Sequence, residues 1–291
     1  MKWNLLLYEE KALAKEGQLH SWEKDEAVQR GISCGTWSGA LSEQIIKETC
    51  ARHSTAPENL LIIVTTRSEW KLARHLGIAA LPYAPAAEAQ GGVFFEDAWI
   101  VVEGFAEVDY DFFLKCYERS HNLPWEILRT KRCHLRELTL ADLDDLFLLY
   151  EKPGVTRYME GLYERKEEED YQRAYIEHMY RYYGYGMWLV CTNGDDRVIG
   201  RAGLEHREYH GQFELEMGYL IAPDEQNKGY ATEICRAIIE YARDNLDFPA
   251  INCLIHKDNH ASRKLAIRLG FTFLEKMMEH GQEMERYIYC F

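Results

Sequence analysis

"ELEMGYLIAPDEQNKGYATE", Glu214 to Glu233, decides how the second half of this chain is read. Its first eight residues alternate like a half-buried strand. The chain then passes through Pro, Asn and Gly into an amphipathic run, where Ala231, Ile234, Ile238, Tyr241 and Ala242 face inward at helical spacing. A strand therefore gives way to a helix near Gly229. The first N–H groups of a helix lack intrahelical partners, and its dipole puts partial positive charge there. A Gly removes the Cβ that would keep an anion off that backbone, and Lys228 adds a cation. The turn is either a phosphate cradle or an ordinary connection whose Gly relieves strain. Neither the GxxxxGK loop nor GxGxxG is present.

Upstream, "GMWLVCT" and "RVIGRAGLEH" read as two more strands, joined by hairpin turns at "NGDD" (193–196) and "HGQ" (210–212). Alternation places Glu214 and Glu216 on one strand face and Leu215 and Met217 on the other. Before these strands, "TLADLDDLFLLY" predicts a helix capped by Thr139, with Asp142 at its third position and Leu140, Leu143, Phe147 and Tyr150 as its apolar stripe. A Tyr-rich helix is expected over about 167–182. Downstream come a strand "AINCLIH", a helix from Asn259 to Gly270, and a closing hairpin that turns at His280–Gly281. "CHLREL" is a strand just beyond the expected seam, near residue 130, where Pro124 interrupts a helical run and Arg129, Lys131 and Arg132 cluster.

The 291 residues are enough for two domains, and the expected division is 1–130 and 131–291. A net charge of −14 disfavours nucleic acid and anionic membranes as partners and mildly favours cationic ones. Eight Cys without a CxxC pair fit free thiols in a reducing cytosol. No run approaches a membrane span and no signal peptide is read, so a soluble cytoplasmic protein is expected. The eleven His are read as scattered, without metal-ligating spacing, and no metal is expected.

The order helix–helix–β–β–β–helix–β–helix–β–β, with "QNKGYA" after the fourth strand, resembles the GNAT acetyltransferases. Within them it looks like the ribosomal-protein N-terminal acetyltransferase (RimJ/RimL-like) branch. The turn motif falls on Gln226, Asn227, Lys228, Gly229, Tyr230 and Ala231, and "KDNHASRKLAIRLGF", Lys257 to Phe271, fits the branch's second motif. The resemblance covers about 131–291 and implies a mixed sheet flanked by helices.

It also implies acetyl-CoA as donor, with its pyrophosphate on the Gln226–Ala231 turn. Its pantetheine arm would run beside Met217, Gly218, Tyr219, Leu220 and Ile221, in a gap where the fourth and fifth strands splay. Asn259 would lie near the pantetheine, and by residue type it also caps a helix. The acceptor it implies is a primary amine: a protein N-terminus, a polyamine or an aminoglycoside-like small molecule. Attack of a neutral amine on a thioester needs a base and benefits from oxyanion donors and a proton for the leaving thiolate. Glu216, in "EMGY", is the candidate base or amine anchor; its bland reading is an exposed strand carboxylate. The N–H groups near Met217 and Gly218 are the oxyanion candidates. Many family members carry a Tyr seven residues after the Asn; here that position is Ala266, and the resemblance to the branch implies a Ser three after the Asn, Ser262, as the candidate acid. Its alternative is a helix-terminal Ser bonding backbone. Tyr287 and Tyr289 are runners-up. The aromatic cluster 175–188 is either packing or a wall over the acceptor, and "ERKEEED" (164–170) reads as a solvated helix start. A non-catalytic acyl-CoA sensor is the rival reading.

In the first half, "NLLIIVTT" (Asn59–Thr66) reads as a buried parallel strand and "RSEWKLARHLG" as a helix capped by Ser68. "IAALPY" and "AWIVVEG" are further strands, and "DYDFFLKCYERSH" is a closing helix. Residues 38–52 look helical. The order resembles the later part of HAD-like phosphatase folds over perhaps 55–120, which implies a Rossmann-like α/β domain. The D-x-D-x-[T/V] nucleophile motif is absent and Thr65 and Thr66 stand where an acidic pair would bind Mg²⁺, so phosphatase chemistry is not expected. The expected role is to shape the acceptor side, dock a partner or mediate homodimerisation. The Thr65–Ser68 turn is a candidate anion seat.

Overall fold

The apolar run at 59–66 forms the strand Leu60–Val64, all five residues buried. The structure is a computed structural model that describes residues 2–85, 95 and 97–291. The chain divides into two compact units, Met1–Trp125 and Glu126–Phe291.

The first unit holds strands β1 (Leu5–Glu9), β2 (Ser33–Trp37), β3 (Leu60–Val64) and β4 (Ala79–Pro82). They form an all-parallel sheet in the order β2-β1-β3-β4. Helix α1 (Gly17–Trp22) continues through a π-helical stretch, Glu23–Ala27, into α2 (Val28–Arg30). Helices α3 (Glu43–Arg52), α4 (Arg67–His75) and α5 (Tyr110–Ser120) follow. The central strand β1 lies in a segment that sequence periodicity left unread: Leu5 to Tyr8 are buried on both faces and so show no alternation. "AWIVVEG" is not a strand; it contributes one isolated bridge, Val102 to Tyr83.

The cap of α4 is Thr66, not Ser68. Thr66 Oγ1 accepts from Glu69 N–H at 3.3 Å, and the Glu69 carboxylate accepts from the N–H groups of Thr65 (2.8 Å) and Thr66 (3.1 Å). A carboxylate of the chain itself thus fills the seat expected for an anion at Thr65–Ser68.

The second unit begins with β5 (Glu126–Arg129) and β6 (Cys133–Arg136). A capping box at Thr139 and Asp142 then starts a 3-10 turn and helix α6 (Leu143–Tyr150). Its buried stripe is Leu143, Leu146 and Leu149, so the helix is turned from the expected face, with Phe147 and Tyr150 only half-buried. Helix α7 (Arg165–Tyr175) runs into a π-helical stretch, Ile176–Tyr183, which ends at Gly184. Glu168, in the stretch read as solvated, is buried and accepts from Tyr163 N–H and Gln172 Nε2. Next come β7 (Met187–Thr192), β8 (Val198–Tyr209), β9 (Gln212–Ile221), α8 (Tyr230–Asn245), β10 (Ala250–His256), α9 (His260–Leu269), β11 (Thr272–Glu279) and β12 (Gln282–Cys290).

These strands form an eight-stranded sheet in the order β11-β12-β10-β9-β8-β7-β6-β5. All neighbours are antiparallel except β9 and β10. Their parallel pairing requires a crossover, which α8 supplies, packing Ile234, Cys235, Ile238, Ile239 and Ala242 into the core. Seven of the eight Cys are buried or half-buried, and Cys290 is exposed. Among the described residues no helix is long and apolar enough to cross a membrane.

Candidate active site

Strands β9 and β10 face each other in register at only two positions, Leu215 with Ile251 and Glu216 with Asn252. Beyond them, Met217–Ile221 pair only with β8, and Cys253–His256 only with β12. The wedge opens into a cleft of about 1370 Å³, lined by both diverging strands, the turn after β9 and the start of α9. Below the vertex the strands are cross-tied. Asn252 Nδ2 donates to Glu214 (2.9 Å) and to the Leu215 carbonyl (3.2 Å), and buried Arg286 donates to Asn252 (2.9 Å), Glu275 (2.9 Å) and Glu214 (2.5 Å). Glu214 therefore serves this tie, while Glu216, two residues on, lines the cleft.

At the far end of β9, Gln226 Nε2 donates to the Ile221 carbonyl at 2.9 Å and folds the turn back onto the strand. Asn227 has φ +61° and Gly229 φ +86°. Gly229 holds the N-cap position of the 16-residue α8 with no side-chain cap, so the first-turn N–H groups keep no partner within the helix. Lys228 is drawn back to Glu225 at 2.9 Å, and Glu225 also pairs with Arg197 at 3.0 Å. A second cation stands beside the turn, unforeseen in this role. Arg132 donates through Nη1 to the Lys228 carbonyl (2.8 Å) and through Nε to Glu233 (2.7 Å), and stacks over the Tyr230 ring.

Glu216 is 20% exposed and accepts hydrogen bonds from the Tyr209 hydroxyl and, at 3.3 Å, from Arg207. Burial pushes its carboxyl above the ordinary range, while Tyr209 and Arg207 pull back toward the carboxylate. Arg207 also pairs with Glu279. Directly opposite Glu216 on β8 is Glu205, which accepts from the Tyr175 hydroxyl at 2.6 Å. Glu205, Arg207 and Glu279 all line the cleft and were not singled out in sequence; none lies in a recognisable motif.

Asn259 caps α9, its Oδ1 accepting from Ser262 N–H at 3.2 Å. Both residues line the cleft, and Tyr219 donates to the Ser262 carbonyl at 3.3 Å. Ala266 is buried. Of the runners-up, Tyr287 is buried and donates to Glu285, and Tyr289 packs against Phe271 and Phe291. The aromatic cluster divides: Tyr175 and Tyr180 are buried, Tyr175 lines the cleft, and Tyr182 and Tyr183 are exposed. An added Cβ at Gly186 would lie 2.8 Å from the Tyr180 ring, so this packing needs a glycine.

Two H-x-x-x-H spacings that the sequence reading passed over do occur, at His206/His210 and His256/His260. Neither lies within one helix, where that spacing would put both rings on one face. The described residues contain one group with three close metal-type donors, His134, Cys191 and Asp196. His134 already pairs with Asp196 at 3.0 Å, and burial pushes the Cys191 thiol up to about 12. None of the three lines the cleft.

Residues 132–272 match the acetyltransferase (GNAT) domain family. The C-terminal half is a GNAT acetyltransferase domain. The chain is 26% identical over 161 residues to the uncharacterized protein YkkB of Bacillus subtilis (strain 168), covering 55% of this chain and 93% of that protein. It is also 26% identical over 170 residues to the uncharacterized N-acetyltransferase YoaA of the same strain, covering 56% and 94%. RimL, a ribosomal L7/L12 alpha-N-protein acetyltransferase, shares the GNAT fold with a TM-score of 0.50 at 16% identity, over 58% of this chain and 96% of RimL. The protein is thus an acyltransferase whose GNAT domain contains the β9–β10 cleft.

Proposed function

We propose that the GNAT domain transfers acetyl from acetyl-CoA directly to a primary amine, with no covalent acetyl-enzyme. The observation that carries this reading is the wedge between β9 and β10, with Glu216 at its vertex and the uncapped α8 turn at its mouth. The edge of Met217–Ile221 that β10 leaves unpaired offers backbone groups to the amides of a pantetheine arm, and the first-turn N–H groups of α8 suit its pyrophosphate. In the transfer, the amine nitrogen bonds to the thioester carbonyl carbon, the C–S bond breaks, and the thiolate takes a proton. Glu216 accepts the amine's proton, directly or through water. The N–H groups near Met217 and Gly218 stabilise the oxyanion, and Ser262 supplies the thiolate's proton.

The acceptor is a protein N-terminus, a polyamine or an aminoglycoside-like amine. Glu205, Glu216 and Glu279 along the cleft suit a cation. The first unit, Met1–Trp125 rather than the 1–130 expected from sequence, acts as a non-catalytic domain in this reading. The test is thiol release from acetyl-CoA by the intact protein against N-terminal peptides, spermidine and aminoglycosides. Amine-dependent release is expected. Tight acetyl-CoA binding without turnover on any amine would favour a sensor.

A further inference from the structure

We infer that Arg132, from the connection between β5 and β6, is a phosphate-binding cation of the donor site. The inference rests on the acetyl-CoA reading above. The turn's own Lys228 is held by Glu225, which Arg197 also engages, so the cation nearest in sequence is turned away toward a carboxylate. Arg132 is held differently. Its N–H and Nε donate to the two oxygens of Glu233 (2.9 and 2.7 Å), its Nη1 to the Lys228 carbonyl (2.8 Å), and its guanidinium lies 4.2 Å from the Tyr230 ring centroid. These contacts leave Nη2 over the turn, 3.4 Å from where a Cβ on Gly229 would sit. Among the described residues no acceptor takes a hydrogen bond from Nη2, and the side chain is 38% exposed. A planar, charged donor fixed on three sides and open on the fourth is suited to a phosphate oxygen.

Calorimetry on the full chain separates this from a structural clamp, using CoA and pantetheine as ligands over a salt series. For Arg132→Gln the dissociation constant for CoA should rise about tenfold, with a weaker salt dependence than wild type and no change for pantetheine, as expected for one lost charge-assisted contact. Arg132→Lys, which keeps the charge, should restore much of the salt dependence. A wild-type salt dependence in Arg132→Gln, or an equal loss of pantetheine affinity, would make Arg132 a clamp only and overturn the inference. Unchanged CoA affinity would overturn it too. Failure of wild type to bind CoA at all would instead sink the acetyl-CoA reading, and this inference with it.

Discussion

Asn252 and Glu216 are the last residues of β10 and β9 that face each other in register. The cross-ties just below them, centred on Arg286, close the sheet on one side of this pair, and the cleft opens on the other. Arg286 is buried, but Glu214 and Glu275 keep 28% and 30% of their side chains exposed, so the carboxylates left behind stay partly solvated. Arg286→Met should therefore lower stability in urea unfolding by more than an exposed pair would, through the lost tie to Asn252 and both carboxylates. A loss below about 1 kcal/mol, the scale of an exposed pair, would show that the tie is incidental.

Glu216→Gln keeps the shape of the vertex and removes its base. General-base catalysis contributes roughly 10²–10⁴-fold, and kcat should fall within that range. The KM for acetyl-CoA should change little, because none of the donor contacts proposed above uses the Glu216 side chain. Steady-state kinetics at saturating acceptor make the comparison; an unchanged kcat would remove Glu216 from the chemistry.

In the proposed transfer, Arg207 helps, with Tyr209, to set the pH at which Glu216 works. Its positive charge favours the Glu216 carboxylate and opposes the upward push of burial. Arg207→Gln should leave the Glu216 pKa higher still, so the acidic limb of the kcat/KM profile should move to higher pH. Tyr209→Phe removes another group that favours the carboxylate and should shift the limb the same way. A limb that stays put in both variants would place the titrating group elsewhere.

At Gly229 the backbone has φ +86°, and an added methyl would reach Arg132 Nη2 at 3.4 Å, an ordinary contact. Gly229→Ala should cost about 1–2 kcal/mol from the left-handed conformation alone. Thermal unfolding and CoA calorimetry should both register it, as a lower midpoint and a weaker affinity.

Asn259→Ala separates two roles that sequence alone joined. Loss of the cap should cost about 1 kcal/mol of stability. If the side chain also meets the pantetheine, KM for acetyl-CoA rises as well. A lower unfolding midpoint with unchanged KM would leave Asn259 a cap alone.

The readable parts of this chain were those with local patterning. The hairpins at 193–196 and 210–212, the strand-to-helix turn at Gly229 and the Asn259 cap each carry their signal within a few residues. What was not readable depends on pairing between distant segments. Strand β1 is buried on both faces and shows no period, and β2 has Gly and Ser where a strand pattern needs apolar residues. Arg132 lies 101 positions from Glu233, and Arg286 lies 72 from Glu214. Glu205 becomes a neighbour of Glu216 only through the register of β8 on β9. The Thr65–Ser68 seat was misjudged for the opposite reason: Glu69, three residues beyond Thr66, fills it from within.

Cys290, exposed at the end of β12, pairs across the sheet with Ala250, at the closed end of β10. A chromogenic thiol reagent used to count released CoA would therefore meet one readily accessible protein thiol, with the other seven cysteines shielded to some degree. The same position offers a site for a single fluorophore at the closed end of the wedge. A second dye on an engineered Cys near His256, at the open end, would then report by energy transfer whether the gap widens when a donor enters.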